Sequence, residues 1–142
     1  MEWRQVDAIT AYLNVALKDR KIYMRQPTGF KTDLSLVCLL LLALYGLRQS
    51  AFLWHGTFTK QLLKMGFKPL LEDPCVFVRE QNGSMLIIYV DDCIIAANTQ
   101  AEIQAFINEL NPIFPLKDLG EPSYFLGCKL VRDRQKRTIT LL

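Results

Sequence analysis

The alternation of apolar and polar positions predicts most of the elements of this chain. Trp3 to Val6 reads as a short strand ending at Asp7, followed by a helical stretch from Thr10 through Leu17, where Leu13, Ala16 and Leu17 recur at helical spacing. Leu34 to Leu47 contains the run Val37-Cys38-Leu39-Leu40-Leu41-Leu42-Ala43-Leu44, which predicts a buried strand or helix segment. Asp33 and Arg48 bracket it at well under the roughly 20 residues that a bilayer span requires, so no membrane partner is expected. Ser50 is a predicted N-cap for a helix marked by Phe52, Leu53, Phe58, Leu62 and Met65 and stopped at Gly66. Cys75 to Arg79 and Ser84 to Tyr89 predict a hairpin turning around Asn82-Gly83. Thr99 and Glu102 form a capping-box pattern before the helical face Ile103, Phe106, Ile107 and Leu110, which Pro112 closes. A last hairpin is predicted from Tyr124 to Val131 with Arg137 to Leu142, through Asp133-Arg134-Gln135-Lys136. The sum is α+β: an antiparallel sheet with helices packed on one face.

Composition narrows the picture. With 142 residues, 51% of them hydrophobic, the chain suffices for the core of one domain, and residues 1–142 are read as a single domain without repeats. The net charge is +3, with Lys and Arg concentrated in Lys18 to Lys31 and again in Arg132 to Arg137, which permits contact with phosphates without demanding it. Four dispersed cysteines and one histidine, His55, provide no zinc-ligand spacing. No basic-then-apolar leader opens the sequence, so the expected setting is intracellular, cytoplasmic or nuclear, with free thiols.

The chemistry lies in the run Met85-Leu86-Ile87-Ile88-Tyr89-Val90-Asp91-Asp92-Cys93-Ile94-Ile95-Ala96-Ala97. Two adjacent carboxylates repel each other, and burying either costs several kcal/mol unless it is paired or meets a cation. The β-branched flanks predict two strands joined by a tight turn that carries both acids. A cation-binding or catalytic turn and an ordinary turn, whose geometry Asp tolerates, both fit the spacing.

Five blocks, in order, then carry a resemblance. They are Val6 to Asn14, Leu44-Tyr45-Gly46-Leu47-Arg48-Gln49, Asp73-Pro74-Cys75-Val76-Phe77, Tyr89-Val90-Asp91-Asp92, and Lys117-Asp118-Leu119-Gly120 through Tyr124-Phe125-Leu126-Gly127. Together they resemble the reverse transcriptase of copia-type retrotransposons over nearly the whole chain. The resemblance implies a palm-region fragment with fingers and thumb largely missing. It also implies an RNA-directed DNA polymerase activity that transfers nucleotides from a dNTP to a primer 3′-hydroxyl, on an RNA or DNA template. Asp7, Asp91 and Asp92 would be the catalytic and metal-site acids, with Asp7 and Asp91 holding two Mg²⁺ or Mn²⁺ ions about 3.5–4 Å apart and Asp92 adding negative potential or an outer contact. Hard oxygen ligands suit those ions.

Further roles follow from the same resemblance. Tyr12 would exclude a 2′-hydroxyl; Tyr45, Gly46, Arg48 and Gln49 would lie beneath the template base and incoming nucleotide; Lys117 would approach the triphosphate. Tyr89, Phe125, Leu126 and Gly127 would contact the primer. The rest of a retrotransposon polyprotein would be a partner. The chain departs from the family pattern in placing Leu39 to Leu42 where basic residues are usual, and Ser50-Ala51-Phe52 where Ala-Pro-Arg is usual. These departures keep a second reading open, a non-catalytic remnant with at most weak nucleic-acid binding.

Overall fold

In the computed structural model, residues 1–18 and 21–142 are described. Positions 19 and 20, inside the basic stretch Lys18 to Lys31, lie outside the described residues. The elements are β1 (Glu2–Ala8), a 3-10 turn (Ala11–Asn14), β2 (Ile22–Arg25), β3 (Val37–Leu40), α1 (Ser50–Lys64), β4 (Phe67–Pro69), β5 (Val76–Arg79) and β6 (Ser84–Tyr89). They continue with β7 (Asp92–Ala97), α2 (Gln100–Leu110), β8 (Leu116–Gly120), β9 (Tyr124–Phe125), β10 (Cys128–Asp133) and β11 (Thr138–Leu141). The class is α+β, as predicted, and the strand ladders are antiparallel. No described helix is long and apolar enough to cross a membrane. The chain divides into two compact units, Met1–Ile9 with Leu62–Leu142, and Thr10–Gln61.

The first unit is built on a six-stranded sheet in the order β4-β5-β6-β7-β1-β8. The first strand of the chain therefore lies between β7 and β8, which puts residues far apart in sequence into direct register. Helix α2 packs on β1 and β7. It starts where predicted: the Thr99 hydroxyl accepts from the Glu102 backbone N–H, and the Glu102 carboxylate accepts from the Thr99 N–H. Ile103, Phe106, Ile107 and Leu110 are all buried, as the periodicity required. Phe106 meets Phe67 edge-on at 5.3 Å between ring centroids, a pairing that contributes about 0.5–1.5 kcal/mol beyond its area. Arg79 covers the same Phe67 ring at 4.6 Å and reaches Glu109 at 3.4 Å.

A second, three-stranded sheet in the order β11-β10-β9 completes this unit. Tyr124 to Val131 does not run as one strand: the chain reverses at Leu126-Gly127, where both residues have positive φ (52° and 80°) and Phe125 pairs with Cys128. Two consecutive positive-φ residues make the tight turn that joins antiparallel strands, and only the Gly advertises it in the sequence. Charged groups tie the β10–β11 hairpin to β1. Arg134 makes a two-bond contact with Glu2 at 2.7 and 2.8 Å, Arg132 and Arg134 both approach Glu121, and the Trp3 indole donates to Glu121 at 2.9 Å.

In the second unit β2 pairs with β3, and Ala16 bridges to Leu42. The predicted helix over Thr10 to Leu17 is instead a single 3-10 turn. Thr10 takes a left-handed conformation at φ 50°, and Val15 is already extended at φ −119°. Its buried residues are Ala11, Tyr12 and Val15, while Leu13 and Ala16 of the supposed helical face are exposed. The Leu-rich segment forms strand β3 but is not buried: Leu34, Leu36, Leu39 and Leu41 are 90%, 56%, 44% and 70% exposed. A two-stranded ribbon has too few neighbours of its own to cover both faces of so apolar a strand. Helix α1 runs from this unit into the first and stops at Gly66, whose φ is +82°. Trp54, Phe58 and Leu62 are buried along it and Met65 just past its end, while the predicted Phe52 is exposed. Ser50 is already helical, and its hydroxyl donates back to the Leu44 carbonyl at 2.7 Å instead of capping the helix.

Candidate active site

Strands β6 and β7 meet in a two-residue turn, Val90-Asp91, closed by the pair Tyr89 and Asp92. Asp7 does not end its strand. It is the next-to-last residue of β1, paired with Asp92 on one side and with Lys117 of β8 on the other. Directly opposed residues share a face, with Cβ atoms about 4.5–5.5 Å apart. Asp7, Asp92 and Lys117 therefore stand in a row across three strands. Asp91 is fixed beside them because its carbonyl accepts the Ala8 N–H at 2.8 Å. The reverse face of the same strands is core: Val6, Ala8 and Cys93 are 1% exposed.

Charge in this row is concentrated enough to alter titration. Burial, reinforced by the neighbouring Asp91 and Asp92 carboxylates, raises the Asp7 pKa above its ordinary value, and Lys117 pulls in the opposite direction. Beneath them the Cys93 thiol is pushed far up, first by burial and then by Asp92, Asp7 and Asp91. Its Sγ lies 3.8 Å from the Asp91 carbonyl as a weak donor.

An arrangement whose own charges disfavour ionisation is one that a cation relieves. The donors are carboxylate oxygens, the ligand type that hard divalent ions take, so the residues present fit Mg²⁺ or Mn²⁺ by chemistry. Among the described residues, no three His, Cys, Asp or Glu side chains converge as a ready-made metal cage. Asp7 and Asp92 are neighbours by strand register, and Asp91 is adjacent to them through the turn that its carbonyl ties to β1.

The other predicted residues fall into two groups. Tyr89 is exposed at the end of β6, Lys117 is exposed on β8, and Phe125, Leu126 and Gly127 form the β9–β10 turn, all in the first unit. Tyr12, Tyr45, Gly46, Arg48 and Gln49 belong to the second. There the Tyr12 and Tyr45 rings lie 4.4 Å apart between centroids, tilted by 46°. Gly46 holds φ +91°, a left-handed turn that a side-chain-bearing residue would strain. Gln49 starts helix α1 through its carbonyl, which accepts the Leu53 N–H at 3.0 Å, and Arg48 is exposed beside it.

Sequence reasoning missed one residue of consequence. Val90 holds φ +58°, which for a β-branched side chain is a genuine outlier, and it sits inside the acidic turn. The available signal was a two-residue turn without the Gly or Asn that such turns prefer.

Comparison with known proteins places the chain in a family. Residues 2–142 match the family described as reverse transcriptase (RNA-dependent DNA polymerase). Among similar proteins, the retrovirus-related Pol polyprotein from transposon TNT 1-94 of Nicotiana tabacum is 35% identical over 99% of this chain, which spans 11% of that relative's length. The Pol polyprotein from transposon RE1 of Arabidopsis thaliana is 36% identical over 91% of the chain and 9% of the relative. The putative transposon Ty5-1 protein YCL074W of Saccharomyces cerevisiae is 33% identical over 88% of the chain and 42% of the relative. The chain thus spans about a tenth of the length of the plant polyproteins it matches. It belongs to the reverse transcriptase family, on the copia-type branch.

Proposed function

We propose that residues 1–142 form the palm region of an RNA-directed DNA polymerase, acting within a longer retrotransposon polyprotein and extending a primer on an RNA or DNA template. The observation that carries this reading is the row Asp92, Asp7, Lys117 across three adjacent strands, with Asp91 tied to β1 beside it. Asp7 and Asp91 would hold the divalent ions, and Asp92 adds negative potential from the paired strand. When bound, such ions supply Lewis-acid activation of the primer hydroxyl and neutralise charge on the triphosphate. The chain's own residues do the positioning. The Asp91 backbone is fixed by the Ala8 N–H, which sets both acids relative to β1. Lys117, on the far side of Asp7, is a donor for a triphosphate oxygen. Tyr89 and Leu126-Gly127 offer exposed surface for the primer strand, with Phe125 half-buried at the base of the turn. By family resemblance, Tyr12 limits the sugar, and Tyr45, Gly46, Arg48 and Gln49 support the base pair being formed.

A non-catalytic remnant is the second reading. It is favoured by the apolar run Leu39 to Leu42, where the family pattern is basic and where Leu39, Leu41 and Leu42 are exposed. Primer extension on an RNA template with dNTPs and Mn²⁺ or Mg²⁺ separates the two. Extension that disappears in the Asp91→Asn, Asp92→Asn chain supports the polymerase; a folded chain that never extends the primer supports the remnant.

A further inference from the structure

The sheet face that carries the carboxylates continues along β1 to a second charged feature. Alternation puts Trp3, Gln5 and Asp7 on one face of the strand, and the register sets Trp3 opposite Ala96 as it sets Asp7 opposite Asp92. Trp3 and Ala96 line a cleft of about 560 Å³ together with Arg132, Arg134 and Arg137 of the β10–β11 hairpin. Four residues at roughly 3.3 Å each put this end of the strand about 13 Å from Asp7.

The three arginines are not equivalent. Arg134 is held by Glu2, and Arg132 lies over the Trp3 ring at 5.5 Å while approaching Glu2 and Glu121. These two are fixed in place, and each guanidinium has five donors, more than its acidic neighbours can use. Arg137 makes no ion pair among the described residues. Asp133, the one acid among the described residues that line the cleft, is 3.6 Å from Lys136. A site with fixed guanidiniums, one uncommitted guanidinium and an indole is built for a phosphodiester, not for an apolar ligand or a cation.

We propose that this cleft binds a backbone phosphate of the primer–template duplex, with Arg137 as the direct contact and Arg132 and Arg134 as its frame. This deepens the polymerase reading and rests on it, because it places duplex along the carboxylate face. At about 3.4 Å per base-pair step, 13 Å puts the gripped phosphate about four steps from the acids.

The test is fluorescence anisotropy of a DNA primer–template with a recessed 3′ end, titrated with the full chain between 50 and 200 mM salt. Arg137→Asn removes the charge while tolerating the left-handed φ of 55° at that position. It is expected to flatten the slope of log affinity against log salt by about 0.9, so that its deficit at 50 mM shrinks about 3.5-fold by 200 mM. Arg137→Lys should keep the slope. So should Lys68→Gln on β4, at the edge of the sheet remote from β1. The Asp91→Asn, Asp92→Asn chain should bind duplex at least as tightly as the parent, which separates this contact from catalysis. An unchanged slope in an Arg137→Asn chain that melts normally overturns the proposal alone. Absence of duplex binding by every chain overturns the polymerase reading with it. A dependence on Arg137 for free dTTP but not for duplex also overturns it.

Discussion

The strained turn at Val90 allows a prediction that isolates backbone from side chain. A residue with a Cβ in the left-handed region costs about 1–2 kcal/mol, whereas Gly enters it freely. Gly in turn loses roughly 0.5–1 kcal/mol of extra chain entropy on folding relative to Ala. Val90→Ala and Val90→Gly both remove the isopropyl group, so the effect of truncating it largely cancels between them. At φ +58° the Gly variant should then be the more stable of the two by about 0.5–1 kcal/mol. For a chain of this size that is about 2–3 °C in melting temperature. The same pair of substitutions at Ile87, inside strand β6, should give the opposite order, because Gly is the poorer residue in a regular strand. Differential scanning calorimetry of the four variants decides it. If Val90→Gly melts at or below Val90→Ala, the left-handed turn is not what the folded chain adopts, and the placement of Asp91 that depends on it fails. Mn²⁺ titration adds a second readout: the Gly variant should bind the ion more weakly although it is more stable, since a looser turn no longer fixes Asp91.

Other outcomes follow from the charges and caps. Because the Asp7 pKa is raised in the fold, the stability tied to its protonated form is present below its ordinary 3.8 and lost as pH rises through the raised value. Asp7→Asn should therefore be more stable than the parent at pH 7, with the advantage fading towards pH 3; urea melts that show it less stable at pH 7 would contradict the repulsion. Glu2 is the reverse case: its hydrogen bonds from Arg134, aided by Gln100 and Arg132, hold its pKa at about 2, so its contribution is full above the ordinary 4.5 and lost as pH falls towards 2. Trp3 fluorescence in a Trp54→Phe background should report release of the β10–β11 hairpin in that window, and a Glu2→Gln chain with the same acid transition would refute the linkage. Thr99→Ala should cost about 1 kcal/mol, and Thr99→Ser should recover most of it in thermal melts. An unchanged melting temperature for Thr99→Ala would mean that the capping box contributes nothing.

What the sequence disclosed and what it hid divide along the range of the interactions involved. Helix α2, the Ser84–Tyr89 strand and the acidic turn were legible because caps, alternation and turn chemistry are local. Strand β8 was not, since Leu116–Gly120 alternates poorly and owes its pairing to β1, more than a hundred residues earlier in the chain. Spacing gave the Thr10–Leu17 stretch a helical look, but the left-handed Thr10 and the bridge from Ala16 to Leu42 prevailed over that local pattern. The exposed Leu-rich strand was misjudged for a related reason: an apolar run signals burial only where the fold provides something to cover it, and β2 alone does not.

The same distinction explains how the carboxylates are tolerated. No local feature joins Asp7 to Asp91 and Asp92; the insertion of β1 between β7 and β8 does so, against the repulsion that raises the Asp7 pKa. That insertion is held from the reverse face, where Val6, Ala8, Cys93 and Ile95 are almost fully buried and α2 packs across both strands. Burial of one aliphatic side chain contributes about 1.5–3 kcal/mol, so a few such residues suffice to offset an electrostatic cost on the exposed side of the same strands. Each strand thus has a stabilising face and a costly one, and alternation keeps them in fixed register. A shift of β1 by one residue would put Asp7 into the core and Val6 or Ala8 among the acids, so the pairing that aligns the carboxylates is also the pairing that the core enforces.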